Sequence, residues 1–190
     1  MKATASATDV PRRFTALQRA LHWLMAAFIL AMLFIGVGMV STVSQRYLTL
    51  VSIHKPLGIA ILVLVLLRIG VRLRFGAPPL PADLPEPMKL AAHLSHYAFY
   101  ALMLAMPLIG WAMLSAAAYP VQVLNFTLPP IVPQSDTLHS LLWTAHYTLA
   151  FAFFALILLH LSAALFHALI RRDGVFGAMA PVPGRSAHRV

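Results

Sequence analysis

Four long apolar stretches, each bounded by polar or proline-rich residues, set the pattern of the chain. They cover roughly residues 17–40, 51–73, 91–115 and 141–170. Each contains the roughly twenty residues that a helix needs to cross the hydrocarbon core of a bilayer. A spanning segment must satisfy its own backbone hydrogen bonds, which favours helices. We therefore expect an all-α integral membrane protein, built as a four-helix transmembrane bundle.

The same pattern gives the domain limits. We predict an N-terminal tail at residues 1–14, the four-helix transmembrane domain at 15–172 and a C-terminal tail at 173–190. The first span is too long for the apolar region of a signal peptide. The third connection, at residues 116–140, is long, apolar and proline-rich. We expect it to lie on the membrane surface as a lid.

Composition supports the membrane assignment. Of the 190 residues, 61% are hydrophobic and 10% are charged, whereas about 25% are charged in a typical soluble domain. A soluble chain of this length has too much surface for its volume to hide so many apolar side chains. The chain has no cysteine, which excludes disulfides, thiolate zinc sites, iron–sulfur clusters and covalently attached c-type haem.

The Lys and Arg residues predict the orientation. All 14 of them except Arg46 and Lys55 flank the N terminus, the connection between the second and third spans, or the C terminus. Because cytoplasmic flanks are enriched in Lys and Arg, both termini are predicted to be cytoplasmic. The formal net charge of +9 follows the ends of the spans. This distribution indicates contacts with lipid headgroups and no binding of nucleic acid.

Histidines carry the candidate chemistry. All nine except His188 fall within, or at the mouth of, the predicted spans, where an ionisable side chain is costly and marks a functional site by default. Four of them lie on the fourth span at steps of 7, 14 and 7 residues, namely His139, His146, His160 and His167. Such steps place all four along one helix face, and a 14-residue step covers about 21 Å of helix axis.

Depth in the bilayer sorts the histidines into two layers. His54, at the start of the second span, lies at the depth of His146, on the outer side. His22, on the first span, lies at the depth of His160, on the inner side. Facing imidazoles on bundle helices are typical axial ligands of haem iron, so the sequence predicts two haem b groups. His139 is a rival to His146. Hydrogen-bonding core histidines, or a metal such as zinc, are the alternatives.

Six motifs together resemble the bacterial cytochrome b561 family, over about residues 12 to 181. They are LHW at 21–23, IHKPLG at 53–58, LLRIGVRLR at 66–74, AHLSHYAFY at 92–100, MPLIGW at 106–111 and HLSAALFHALIRRDGVFGAM at 160–179. The resemblance implies a bacterial inner-membrane bundle with two non-covalent b haems. The ligands that it implies are His22, His54, His146 and His160.

The resemblance also implies an activity. The family includes superoxide oxidases, which take electrons from superoxide on the periplasmic side and deliver them to ubiquinone. The expectation is therefore a superoxide:ubiquinone oxidoreductase. The alternative is a haem-bearing relay subunit that passes electrons between the quinone pool and a partner redox protein.

Polar residues beside the two layers are candidates for substrate contacts. Arg46 and Lys55 lie at the outer mouth, where a positive field would attract superoxide, or where they would bind haem propionates or lipid headgroups. Five further residues fall near the inner layer, namely His93, His96, His167, Arg68 and Arg72. They are candidates for a quinone pocket, in which histidine supplies protons near neutral pH, or for contacts with the propionates of the inner haem.

Overall fold

A computed structural model describes residues 13–181 and confirms the four-helix bundle. The long helices are α1 (Ala16–Val40), α2 (Arg46–Phe75), α3 (Glu86–Ala116) and α4 (Asp136–Leu165). All four are long and apolar enough to cross a membrane. Helices α2, α3 and α4 begin about five residues before the predicted spans. Most of the predicted N-terminal tail and the last part of the predicted C-terminal tail, residues 1–12 and 182–190, lie outside the described residues.

Local sequence signals fix the helix ends. Thr15 and Gln18 form a reciprocal capping box at the start of α1, which satisfies backbone N–H groups that have no partner within the helix. The hydroxyl of Ser135 accepts a hydrogen bond from the backbone N–H of Leu138 at the start of α4. Gly76, with φ of 66°, ends α2 in a conformation that glycine adopts without steric strain.

The bundle packs mainly as two helix pairs. Helix α1 lies against α2, α3 lies against α4, and α2 joins the pairs through its contact with α3. The centre holds one buried apolar side chain from each helix: Met25, Val65, Met103 and Phe153. Many large apolar side chains face outward and stay exposed along all four helices. Such a surface is stable when lipid surrounds it.

A short β-hairpin covers one end of the bundle. Strands β1 (Val121–Val123) and β2 (Phe126–Leu128) pair antiparallel, and the sequence did not predict them. The ammonium of Lys55 donates to the carbonyl of Pro120 over 3.2 Å, and the indole of Trp111 donates to the carbonyl of Pro129 over 3.1 Å. The third connection is therefore folded over the bundle. We call the end of the bundle that the hairpin covers the hairpin end.

The opposite end carries most of the described Lys and Arg residues, and we call it the basic end. There α4 continues into a π-helical segment, Phe166–Arg171, followed by a short helix α5, Val175–Met179. The indole of Trp23 donates to the carbonyl of Met179 over 2.9 Å. Residues 173–181, which the sequence analysis assigned to a tail, thus pack back on the bundle.

The orientation of the bundle remains a prediction, and single cysteines test it, because the chain has none of its own. Asn125 is exposed at the hairpin tip, and Ala77 is exposed at the basic end. The two variants are Asn125→Cys and Ala77→Cys. A membrane-impermeant maleimide should label the first variant in intact cells and the second only after permeabilisation. The reverse pattern would place the termini outside.

Candidate functional site

Two histidines face each other near the hairpin end. His54 comes from the beginning of α2 and His146 from α4, and their ring centroids lie 6.2 Å apart at an interplanar angle of 65°. Both residues are half-buried. We call them the outer pair. The structure therefore brings together the two residues that sequence depth assigned to one layer.

Iron held between two imidazoles requires nearly this separation. A ligating imidazole nitrogen lies about 2.0 Å from its metal. In a five-membered ring with bonds of about 1.35 Å, that nitrogen lies about 1.15 Å from the ring centroid. Two ligands on opposite sides of one iron then have centroids about 6.3 Å apart. The observed 6.2 Å between His54 and His146 fits a single iron between the rings.

The surroundings of the outer pair also fit a bound group. Nδ1 of His54 is buried without a hydrogen-bond partner among the described residues, an arrangement that costs free energy unless the ring has another partner, and His146 has the backbone of Met106 beside it. Gly110 of α3 lies against His146, since a Cβ at this position would be 3.3 Å from the Cε1 of that ring. This contact of Gly110 was not predicted from the sequence.

The rival ligand His139 has another partner. Its Nδ1 donates a hydrogen bond to the carbonyl of Met113 over 3.0 Å, which holds the ring against the end of α3. His146, by contrast, directly faces His54. The geometry thus supports His146 in the outer pair.

A second pair lies toward the basic end. The ring centroids of His22 and His160 are 6.2 Å apart at an interplanar angle of 61°, so this pair also fits one iron. We call it the inner pair. His96 is an unexpected rival, because its centroid lies 6.3 Å from that of His160. His96 is exposed on α3, whereas His22 and His160 are half-buried, and burial supports His22.

Aromatic side chains fill the space between the two layers. Phe153 of α4, buried in the core, lies midway along the helix between His146 and His160. The ring of Phe99 on α3 lies 5.9 Å from that of Phe153 and 5.1 Å from that of His160. The middle of the bundle is therefore a packed apolar layer between the two histidine pairs.

The arginines predicted near the inner layer lie on one side of α2. A nitrogen of Arg68 is 3.1 Å from Nδ1 of His22, and Arg72 stacks over the ring of Phe14 at 5.4 Å. Both line a cavity of about 20 Å³, which holds a water molecule or two and is too small for a quinone ring. His93 is exposed on α3.

His167 belongs to a polar network where α4 becomes π-helical. Its Nδ1 donates to the carboxylate of Asp173 over 2.7 Å. Arg171 donates to the same carboxylate oxygen over 3.0 Å and to Asp83 over 2.7 Å. Burial raises the pKa of Asp173, but hydrogen bonds from His167, the backbone N–H of Val175 and Arg171 outweigh it, so the net pKa is lowered. Asp173 follows the last span, and the span pattern could not identify it.

The basic residues at the hairpin end are not neighbours. Arg46 is the first residue of α2 and is exposed. Lys55 is half-buried and reaches the carbonyl of Pro120. Nine residues along a helix place the two on opposite faces, about 13.5 Å apart along the axis. Among the described residues, neither forms an ion pair with an acidic side chain.

The donor arrangement bears on the identity of the metal. Within residues 13–181, no group of three His or acidic side chains converges on one point. A protein zinc site needs three or four such ligands. A haem supplies four nitrogens of its own and needs only axial ligands from the chain, so pairs of histidines fit haem better.

Comparison with known proteins gives consistent matches over nearly the whole chain. Residues 13–181 match the family model described as prokaryotic cytochrome b561. Cytochrome b561 homolog 1 of Escherichia coli (strain K12) is 30% identical over 89% of this chain and 97% of that protein. A probable superoxide oxidase, CybB, of Yersinia pestis is 30% identical over 90% of this chain and 97% of that protein. Cytochrome b561 homolog 2 of E. coli is 29% identical over 92% and 94%, respectively.

The paired geometry predicts how ligand variants divide. His54→Ala and His146→Ala should each lose one haem, and His22→Ala should lose the other, because a missing axial ligand leaves the iron weakly held. His96→Ala and His139→Ala are the matched controls and should retain both. Haem content and low-spin absorption of the purified variants measure this. If His96→Ala loses the inner haem and His22→Ala retains it, the ligand opposite His160 is His96 and not His22.

Proposed function

Since this chain belongs to the prokaryotic cytochrome b561 family and is therefore a membrane electron-transfer protein with haem b, we propose that it holds two haems, oxidises superoxide and reduces ubiquinone. One observation carries the proposal. Helix α4 presents His146 and His160 toward opposite ends of the bundle, and each ring faces a second imidazole at a centroid distance of 6.2 Å. Each end thus has the axial ligands for one haem. The haems, when bound, supply one-electron redox chemistry at both membrane surfaces.

The reaction balances with one quinone for two superoxide ions. Each superoxide loses one electron and becomes O₂. Ubiquinone gains the two electrons and two protons and becomes ubiquinol. The chain must therefore attract an anion at one end and provide protons at the quinone.

Lys55 is the residue at the hairpin end best placed to attract superoxide. It follows His54 in sequence, its ammonium donates to the carbonyl of Pro120, and it forms no described ion pair. A fixed positive charge at a site mouth raises the local concentration of anions. The similarity to the probable superoxide oxidase of Yersinia pestis supports the same substrate. Arg46, exposed on the opposite face of α2, would add a weaker field.

His167 is the residue at the basic end best placed to serve a quinone. Asp173 accepts a hydrogen bond from Nδ1 of His167, which orients the ring and leaves Nε2 free to take up a proton from water and release it to a quinone. His167 is only 13% exposed, and the carboxylate of Asp173 is 9% exposed. A largely shielded imidazole with a fixed orientation is suited to pass a proton taken up at Nε2 on to a quinone oxygen. We propose an inner quinone site that uses His167, with His96 or His93 and the side of α2 bearing Arg68 and Arg72 as its other walls.

A cavity beneath the hairpin is the alternative place for a quinone. It measures about 390 Å³ and is lined by Trp111, Tyr119 and Gln134 among others. Pockets that bind small molecules measure roughly 300–1,000 Å³. Its wall at Trp111 is one residue from Gly110, which contacts His146. This cavity is where the quinone site would lie if variants at the basic end left quinone reduction intact.

Superoxide oxidation should depend on Lys55 and on salt. Lys55→Gln should slow haem reduction by superoxide about twofold at low ionic strength, because one unit charge about 10 Å away in water contributes ~0.4 kcal/mol. The difference should shrink at high salt, as screening removes the field. Stopped-flow absorption of the haem measures the rate. Lys89→Gln, which removes a charge at the basic end, is the control. Equal rates of haem reduction for the Lys55 variant and the parent at low salt would show that Lys55 does not steer superoxide.

Quinone reduction should depend on the His167–Asp173 pair. With both haems retained, His167→Phe should lower the rate of ubiquinol formation about tenfold or more, since general acid–base groups contribute about 10²–10⁴-fold. Asp173→Asn should lower it less, because the ring stays but loses its anionic partner. Asp83→Asn, which removes the other carboxylate that Arg171 contacts, is the matched control.

The pH dependence follows from the lowered pKa of Asp173. Its stabilising hydrogen bonds are fully present above the ordinary carboxyl pKa of about 4 and are lost as the pH falls through the lowered folded value. Parent protein should therefore show no loss of the network between pH 5 and 8.

Unchanged ubiquinol formation in His167→Phe and Asp173→Asn would move the quinone site to the cavity beneath the hairpin.

The relay alternative is tested by the same preparation. A relay subunit would need a partner redox protein as electron donor or acceptor. Superoxide-dependent ubiquinol formation by the purified chain in lipid, without any other protein, supports the oxidoreductase. Haem reduction by superoxide without ubiquinol formation favours the relay.

A further inference from the structure

Arg68 is the charged side chain closest to the inner histidine pair. It is half-buried on α2, one turn after the fully buried Val65. Its Nη2 donates to Nδ1 of His22 over 3.1 Å, and its Nε lies 3.5 Å from the hydroxyl of Tyr100. The guanidinium therefore lies between α1, α2 and α3, at the depth of His22.

No described acidic residue neutralises this charge. The carboxylates at the basic end have other partners: Asp83 and Asp173 bind Arg171, and Glu86 binds Lys89. The remaining described acid, Asp136, begins α4 at the hairpin end. Arg68 thus places a positive charge in a half-buried position between three helices, where its field is screened less than at an exposed site.

The outer pair has no equivalent neighbour among the described residues. Nδ1 of His54 has no hydrogen-bond partner there, and the polar neighbour of His146 is the uncharged backbone of Met106. The nearest basic side chain in sequence, Lys55, turns its ammonium to the carbonyl of Pro120 in the lid. The two histidine pairs share one centroid distance but differ in their electrostatic surroundings.

Reduction of a haem adds one electron, so a fixed cation nearby favours the reduced form. Hydrogen bonding, burial and charge around the ligands are the means by which a protein sets haem potential. We propose that Arg68 raises the reduction potential of the inner haem above that of the outer haem. Electron transfer from the hairpin end to the basic end is then downhill. The proposal rests on the ligand set of the proposed function.

The effect does not depend on the hydrogen bond to His22. A guanidinium has no acceptor atom and only donates, and it stays charged at every pH at which the protein is folded. If Nδ1 of His22 carries a proton when Nε2 binds iron, Arg68 must donate elsewhere. Because Arg68 is anchored on α2, its guanidinium still lies beside the inner pair and Tyr100 after this hydrogen bond is lost.

Redox titration of the purified protein, followed by haem absorption, tests this role. Arg68→Gln should lower the potential of the inner haem by about 59 mV, which corresponds to a tenfold change in its ratio of reduced to oxidised forms. Arg68→Lys, which keeps the charge, should retain most of the parent potential. Arg74→Gln is the matched control. It removes the same charge from the same helix, but from an exposed position over the Phe75 ring.

Titration in a His54→Ala background, which should hold the inner haem alone, assigns the shift. If Arg68→Gln loses the inner haem, Arg68→Met and Arg68→Lys are compared, and a lower potential for Met than for Lys supports the proposal. Two intact haems with unmoved potentials in Arg68→Gln overturn it, as do equal shifts in Arg74→Gln. A parent protein with one haem, or one that keeps its inner haem without His22, instead contradicts the proposed function.

Discussion

The bundle depends on holding two pairs of imidazoles, each at one fixed separation, inside an apolar core. A polar ring in hydrocarbon is costly unless it has a partner, and a metal between two rings satisfies both at once. Helix α4 contributes one ring to each pair, while α2 and α1 contribute the opposite rings. Helix α1 packs on α2 and α3 packs on α4, and the contact of α2 with α3 joins the two helix pairs, so that the rings face each other across the bundle. Phe153 and Phe99 fill the space between the pairs.

The two ends of this frame are built differently. At the hairpin end the lid is tied to α2 and α3 through Lys55 and Trp111, and few charges are present. At the basic end Arg68 lies against His22, and His167 is linked through Asp173 to Arg171. One end thus offers a ligand pair in apolar surroundings with a single cation nearby. The other offers cations and a hydrogen-bonded network of His167, Asp173 and Arg171. Under the proposed function, this difference would give electron transfer a direction without any moving part.

The spans and the facing histidines could be predicted from the sequence because both follow from helix geometry. Twenty apolar residues define a span, and a 14-residue step fixes the depth of His160 relative to His146. The closeness of His96 to His160 could not be predicted, since it depends on how α3 rotates against α4. Gly110 and Asp173 were missed for a related reason. Their role lies in a contact with one ring, and neither residue type is unusual where it stands. The hairpin strands are only three residues each, too short for a periodic signal.

The ratio of haem to protein shows whether each of the two histidine pairs holds a haem. Pyridine haemochrome absorption gives the haem b content, and quantitative amino-acid analysis of the same sample gives the protein. Two imidazole pairs at 6.2 Å predict two haems per chain, both low-spin, with electron paramagnetic resonance signals typical of bis-histidine iron. A ratio of one, or high-spin iron in both sites, would contradict the account.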